Sequence, residues 1–151
     1  MTALTFKPRH VVSYRSGLEE GTGRWLAGLG IDVGYETPES VIRYAIPERI
    51  ARYTPDFTLP SGIVIETKGI FDAADRKKHL LIREQFPEVD IRFVFSNPNA
   101  RIGKKSVTTY AHWCDGKNPK KYVFKYAAAP TKAKAAAGAS WIPMEWLDLP
   151  N

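Results

Sequence analysis

The sequence is poor in sulfur and imidazole, with one cysteine, Cys114, and three histidines among 151 residues. A single thiol cannot close an intrachain disulfide, and three scattered histidines with one cysteine offer no zinc-ligand spacing. A lone cysteine fits a reducing compartment. Long apolar runs are missing as well, so no segment approaches the roughly 20 residues that a membrane-spanning helix needs. Residues 1–10 carry Lys7, Pro8, Arg9 and His10 and no apolar stretch of the signal-peptide kind. No internal repeat is visible. What remains suffices for one compact domain: 44% of residues are apolar and 12% aromatic, too many for a disordered chain. Acidic charge is in deficit, with 22 Lys and Arg against 16 Asp and Glu and a net charge of +6. The basic residues cluster at 76–78, 101–105, 117–125 and 132–134. Such an excess suits a polyanionic partner, nucleic acid first.

The pattern of elements points to an α/β fold. Residues 1–14 read as a basic, flexible arm, and residues 15–151 as a single domain. Ser16-Gly17-Leu18-Glu19 fits a capping box, with Ser at the N-cap and Glu at N3. Leu18, Thr22, Trp25, Leu26 and Leu29 follow at helical spacing, and Gly30 suits the C′ position. Gly17, Gly21, Gly23 and Gly28 weaken that helix. Strands are expected over 31–36 and 41–46, the second ended by Pro47. A hairpin follows, 52–59 and 62–68, turning through Pro60-Ser61-Gly62. A helix begins at Asp72 or Asp75 and runs to about Phe86, with Ala74, Lys78, Leu81, Ile82 and Gln85 on one face. Ile91 to Phe95 reads as a strand. Beyond Asn97 the expectations are a short helix over 108–114 and a strand over 122–126. A flexible insertion is expected over 127–140, rich in Ala and Lys. Residues 141–147 are apolar enough to dock onto the core. The order α-β-β-β-β-α-β calls for a mixed central sheet flanked by helices.

The hairpin carries the chemistry. With a three-residue loop at 60–62, Leu59 pairs with Ile63, Phe57 with Ile65 and Asp56 with Glu66. Phe57, Leu59, Ile63 and Ile65 then share an apolar face, which fixes the register. Asp56 and Glu66 fall opposite one another, with Cβ atoms about 5 Å apart. Two facing carboxylates repel unless a cation lies between them, and Lys68 or a divalent metal can serve. A hard cation such as Mg²⁺ binds one or two carboxylates and phosphate oxygens. It can lower the pKa of a water and offset charge on a phosphate under attack. A neighbouring lysine can hold or help activate that water. The bland alternatives are a strand-opening Asp56, a surface Glu66–Lys68 ion pair and a Glu19 that only caps its helix.

Pro55-Asp56, then Glu66-Thr67-Lys68, resembles the PD-(D/E)XK nuclease superfamily. A longer set of segments narrows this. Arg15-Ser16-Gly17-Leu18-Glu19, Tyr53-Thr54-Pro55-Asp56-Phe57, Glu66-Thr67-Lys68-Gly69, the run from Asp75 to Gln85, and Ile91 to Ser96 together resemble the phage endonuclease I family of Holliday-junction resolvases. The likeness is strong over 14–97 and returns weakly at 142–146.

The resemblance implies a PD-(D/E)XK nuclease fold in an intertwined, domain-swapped homodimer, with residues 37–52 as the bridge between subunits. It implies Mg²⁺-dependent cleavage of four-way and other branched DNA, with Mn²⁺ as a substitute and two ions per site. Catalysis falls on Glu19, Asp56, Glu66 and Lys68. Asp56, Glu66, Thr67 (through its carbonyl) and Glu19 hold the metals, Glu19 being supplied by the partner chain. The family pattern leads one to expect a basic tail after Trp146, and the sequence ends at Asn151. DNA contacts are therefore expected at Arg15, Ser16, Arg76, Lys77, Lys78, Arg101, Lys104 and Lys105. The implied setting is the cytoplasm of a phage-infected bacterium, with no membrane association. Two other functions fit the same residues, a sequence-specific restriction-type endonuclease and a catalytically inactive junction-binding protein.

Overall fold

The structure is a computed structural model that describes residues 12–46 and 48–148. The arm expected at the N-terminus lies outside the described residues as far as Val11, and so does Pro47. The first helix, α1, spans Gly17–Gly28. The Ser16 hydroxyl caps it by accepting from the Glu19 amide at 3.1 Å. Its far end closes as a Schellman turn, the Gly30 amide donating to the Ala27 carbonyl at 3.0 Å and the Ile31 amide to the Leu26 carbonyl at 3.3 Å. Gly30 takes φ +73°, where a side chain would be strained. Two of the four helical glycines that weaken α1 have packing roles. A Cβ at Gly21 would meet the Trp141 ring and one at Gly23 the Tyr14 ring.

Five strands form the mixed sheet, in the order β1-β4-β5-β6-β7. They are β1 (Gly34–Tyr35), β4 (Phe57–Thr58), β5 (Val64–Lys68), β6 (Ile91–Phe95) and β7 (Tyr126–Ala128). β1, β4 and β5 are antiparallel, whereas β5, β6 and β7 are parallel. The parallel step from β5 to β6 crosses through α2 (Ala73–Gln85), whose N-cap is Asp72. Phe57 pairs with Ile65, as the apolar pattern requires.

Several elements differ from the sequence reading. The strand expected over 31–36 shrinks to β1, and a 3-10 turn at Pro38–Ser40 follows it. The strand expected over 52–59 is broken. Its first part is β3 (Arg49–Tyr53), which leaves the sheet to form a two-stranded ribbon with β2 (Ile42–Ile46). Its second part is β4. Pro55 sits in the break and has no amide to give a ladder. The buried residues of α2 are His79 and Ile82, a face offset from the one expected. The strand expected at 122–126 is β7, placed later. The stretch expected to be flexible from Ala127 holds the end of β7 and a short helix, α4 (Lys132–Ala136). Between β6 and β7 lies α3 (Tyr110–Cys114), capped by Thr109.

Each face of the sheet carries its own core. On one, Phe71, Phe93, Phe95, Trp113 and Phe124 pack with Ile82 of α2 and with Tyr44, Ala51 and Tyr53 of the ribbon. On the other, Leu26 of α1 packs with Phe57, Leu59, Ile65 and Val94 and with Ile142, Trp146 and Leu147. The apolar segment after residue 140 therefore docks as its composition suggests. Phe57, Phe71, Phe93 and Phe95 have no exposed surface. Burying each contributes roughly 1.5–3 kcal/mol relative to leaving it in water. These two cores hold β4, β5 and the start of α1 in fixed relation, and the site lies among them.

Candidate active site

The break between β3 and β4 is what frees Asp56. The ladder stops at Phe57, so the Asp56 carboxylate does not face Glu66 across a regular pair. It turns onto Thr67, accepting from that residue's amide at 2.8 Å and its hydroxyl at 2.9 Å. The buried Glu66 carboxylate accepts from the Tyr53 hydroxyl at 2.5 Å and the Asp56 amide at 3.4 Å. The two acids thus touch each other's backbone surroundings, which locks both strands into one polar unit.

Lys68 follows on the Glu66 face. Its ammonium lies 3.7 Å from Glu66 and 3.2 Å from Asp75, the latter near the start of α2. Lys78 also reaches Asp75, at 3.6 Å, and stands over the Tyr53 ring, 5.3 Å from its centroid. Among the described residues, one group of carboxylates lies close enough to share an ion. Ligand atoms of Glu19, Glu36 and Asp56 are all within 4.8 Å of one another. Glu19 is thus brought to Asp56 within the same chain. It is held by the Tyr35 hydroxyl, which donates to it, and by the Arg15 amide at 3.4 Å. Glu36 has φ +44°, a left-handed conformation rare for a glutamate. Its amide donates to the Asp56 carbonyl at 3.1 Å, and its side chain pairs with Arg15 at 3.4 Å.

The electrostatics follow from burial. Desolvation pushes the Glu66 carboxyl up to about 8, the Asp56 charge adds to the shift, and Lys68 and the Tyr53 hydroxyl oppose it. Asp56 rises to about 6, again through burial, against the two hydrogen bonds from Thr67. Burial works to lower the Lys68 pKa, but Glu66 and Asp75 outweigh it and the net shift is upward. Lys68 is therefore a fixed cation that can donate hydrogen bonds and offset charge. Negative charge is in excess here, and a divalent cation would relieve it. The oxygen-only donor set of Glu19, Glu36 and Asp56 fits a hard ion, and Glu66 is not part of that group.

Of the residues expected to meet nucleic acid, Arg15 and Lys78 line the cavity beside the carboxylates. The Ser16 hydroxyl is engaged as the cap of α1. Arg76 donates to the Phe71 carbonyl at 2.6 Å. Lys77, Arg101, Lys104 and Lys105 are exposed. Sequence reasoning missed Glu36, Tyr53 and Asp75 as parts of the site. Tyr53 stood inside a quoted motif and Asp75 was considered as a helix start. Glu36 carries no signal in its local pattern.

A cavity of about 390 Å³ opens beside the carboxylates, lined by Arg15, Glu36, Arg52, Tyr53, Thr54 and Lys78. The class these features define is a mixed α/β domain with an acidic cluster, a fixed lysine and a cationic rim. More closely, the chain belongs to the phage endonuclease I family, which it matches over residues 1–148. It is similar to Endodeoxyribonuclease 1 of Enterobacteria phage T3, 53% identical over 103 residues, 68% of this chain and 66% of that protein. It is also similar to Endonuclease I of Escherichia phage T7, 43% identical over 143 residues, 95% of this chain and 84% of that protein.

Proposed function

We propose that the protein is a Mg²⁺-dependent endodeoxyribonuclease that resolves four-way and other branched DNA junctions by paired phosphodiester hydrolysis. The observation that carries this reading is the buried Asp56 and Glu66 with the half-buried Lys68 beside them, in a chain of the phage endonuclease I family. Water would attack phosphorus while one P–O ester bond breaks, leaving a phosphate monoester and a free hydroxyl. Asp56, Glu66, Glu19 and the Thr67 carbonyl would hold Mg²⁺, or Mn²⁺ in its place, two ions per site. Bound there, the metal supplies a more acidic water and charge stabilisation at phosphate. Lys68, held as an ammonium between Glu66 and Asp75, orients the water and offsets charge on the phosphate oxygens. Tyr53 fixes the Glu66 carboxylate by its hydroxyl. Thr67 does the same for Asp56 with two hydrogen bonds.

The active form in this reading is a homodimer with a PD-(D/E)XK core in each half, working in the cytoplasm of an infected bacterium. Among the described residues no helix is long and apolar enough to cross a membrane. The exchange of α1 between subunits is compatible with the single-chain contacts. An exchanged element makes the same contacts with a partner that it makes within its own chain. Residues 37–52 would then bridge the halves by opening the β2–β3 ribbon.

The test is cleavage of a four-way junction with and without Mg²⁺, beside a linear duplex. Junction nicking that needs Mg²⁺ and exceeds duplex cutting is expected. Glu66→Ala should abolish nicking and keep junction binding, and continued nicking by that variant would sink the assignment. Cutting of plain duplex at one fixed sequence would point instead to a restriction-type enzyme.

A further inference from the structure

We propose that Arg43 and Arg52 form a phosphate clamp on the β2–β3 ribbon, which receives the DNA backbone beside the cleavage site. The two residues are direct cross-strand partners. Both are exposed, while Tyr44, Ala51 and Tyr53 turn into the core. Like charges placed directly opposite on a sheet are destabilising. Three arginines pair with acids, Arg15 with Glu36, Arg24 with Glu20 and Arg92 with Asp90, and Arg76 and Arg83 donate to backbone carbonyls. Among the described residues, neither Arg43 nor Arg52 takes part in an ion pair. Among the described residues no carboxylate offsets this pair, and solvent alone screens it. An anion lying between the two guanidinium groups would relieve the repulsion.

The surroundings say which anion. Arg52 borders two cavities. One, about 390 Å³, runs to Arg15, Glu36 and Lys78 and so to the carboxylates. The other, about 470 Å³, is lined by Arg43 and by Pro38, Val41, Ile42 and Phe86. Arg52 therefore lines both the cavity beside the carboxylates and the one that Arg43 lines. Its neighbour Tyr53 bonds to Glu66, so strand β3 ties the clamp to the reacting centre. A polyanion with phosphates at regular intervals fits this strip, and guanidinium groups take phosphate oxygens two at a time. The inference rests on the endonuclease reading for its ligand, a DNA strand, and adds residues that the basic clusters of the sequence do not include.

The experiment measures junction binding across a salt series in the Glu66→Ala background, with chelator present, so that cleavage does not intervene. Arg43→Ala/Arg52→Ala is compared with Arg43→Lys/Arg52→Lys and with the parent. For the alanine pair, the slope of log K against log[salt] should become shallower by about 0.9 for each arginine that meets a phosphate. The lysine pair should keep the slope because it keeps the charge. The unfolding temperature of the alanine pair should be no lower than that of the parent, since a repulsion is removed. An unchanged slope and affinity would overturn the clamp. So would a binding loss that comes with a lower unfolding temperature and is not restored by lysine. Either result leaves the nuclease assignment standing if Glu66→Ala still abolishes nicking. Failure of that assignment appears separately, as absent Mg²⁺-dependent nicking in the parent.

Discussion

Glu66 is a buried acid whose charge is only partly met. Its pKa of about 8 lies far above the ordinary 4.5, so the metal-free fold binds a proton there more tightly than the unfolded chain does. Stability contributed by that group is present at low pH and is lost as pH rises from about 4.5 to about 8. The metal-free protein should therefore lose unfolding free energy across that window, measured with denaturant in chelator. Glu66→Gln should flatten the loss while abolishing nicking, and a profile as steep as the parent's would contradict the burial argument. Divalent metal should stabilise the protein most at the alkaline end. His79 pulls the other way. It is fully buried among Tyr53, Phe71 and Phe93, its ring nitrogens find no hydrogen-bond partner among the described residues, and burial holds its pKa well below 6.5. Its contribution is lost as pH falls below about 6.5, where the unfolded histidine takes up a proton. At this scale the sequence was partly legible. Asp56, Glu66 and Lys68 were visible because strand alternation and register are short-range rules. Glu36 and Asp75 were not, because each reaches the site through a chain reversal or a helix start that no periodicity encodes.

The element that matters most for the site is the first turn of α1. Ser16 caps it, and the capped Glu19 amide belongs to the residue whose carboxylate lies by Asp56. Ser16→Ala should cost about 1 kcal/mol of stability, as N-cap truncations do. It should also lower nicking, because the fraying turn carries Glu19. Thermal unfolding and junction nicking by one preparation check both, and a stability loss with full nicking would separate the cap from the site. The capping box and the C′ glycine made α1 readable in advance. The strand over 52–59 was misread as continuous for a physical reason. Apolar alternation runs through it, yet Pro55 interrupts the amide pattern, and the two halves pair with different partners. β7 and α4 were hidden by an Ala- and Lys-rich composition in which neither period stands out.

At the scale of the whole molecule, the mixed sheet was legible from the order of elements, because α2 between β5 and β6 demands a parallel crossover. The ribbon was not, since the choice between a closed hairpin and an open bridge is not written in strand propensity. The proposed exchange of α1 has a direct test. Glu19→Ala and Asp56→Ala chains, each inactive alone, are unfolded together and refolded as a mixture. An exchanged dimer yields some sites with both acids, so nicking returns in part. Strictly intrachain sites yield none. The ribbon's partners Ile46 and Arg49 leave only two residues between them, and in the proposed exchange opening that connection requires α1 to leave the sheet. If α1 is exchanged as proposed, the closed and exchanged forms share nearly the same contacts and interconvert only by undocking α1, so exchange is slow. A preparation is then expected to carry a memory of its making: chains renatured at high dilution stay single, those renatured when crowded stay coupled, and later dilution alone does not convert one into the other.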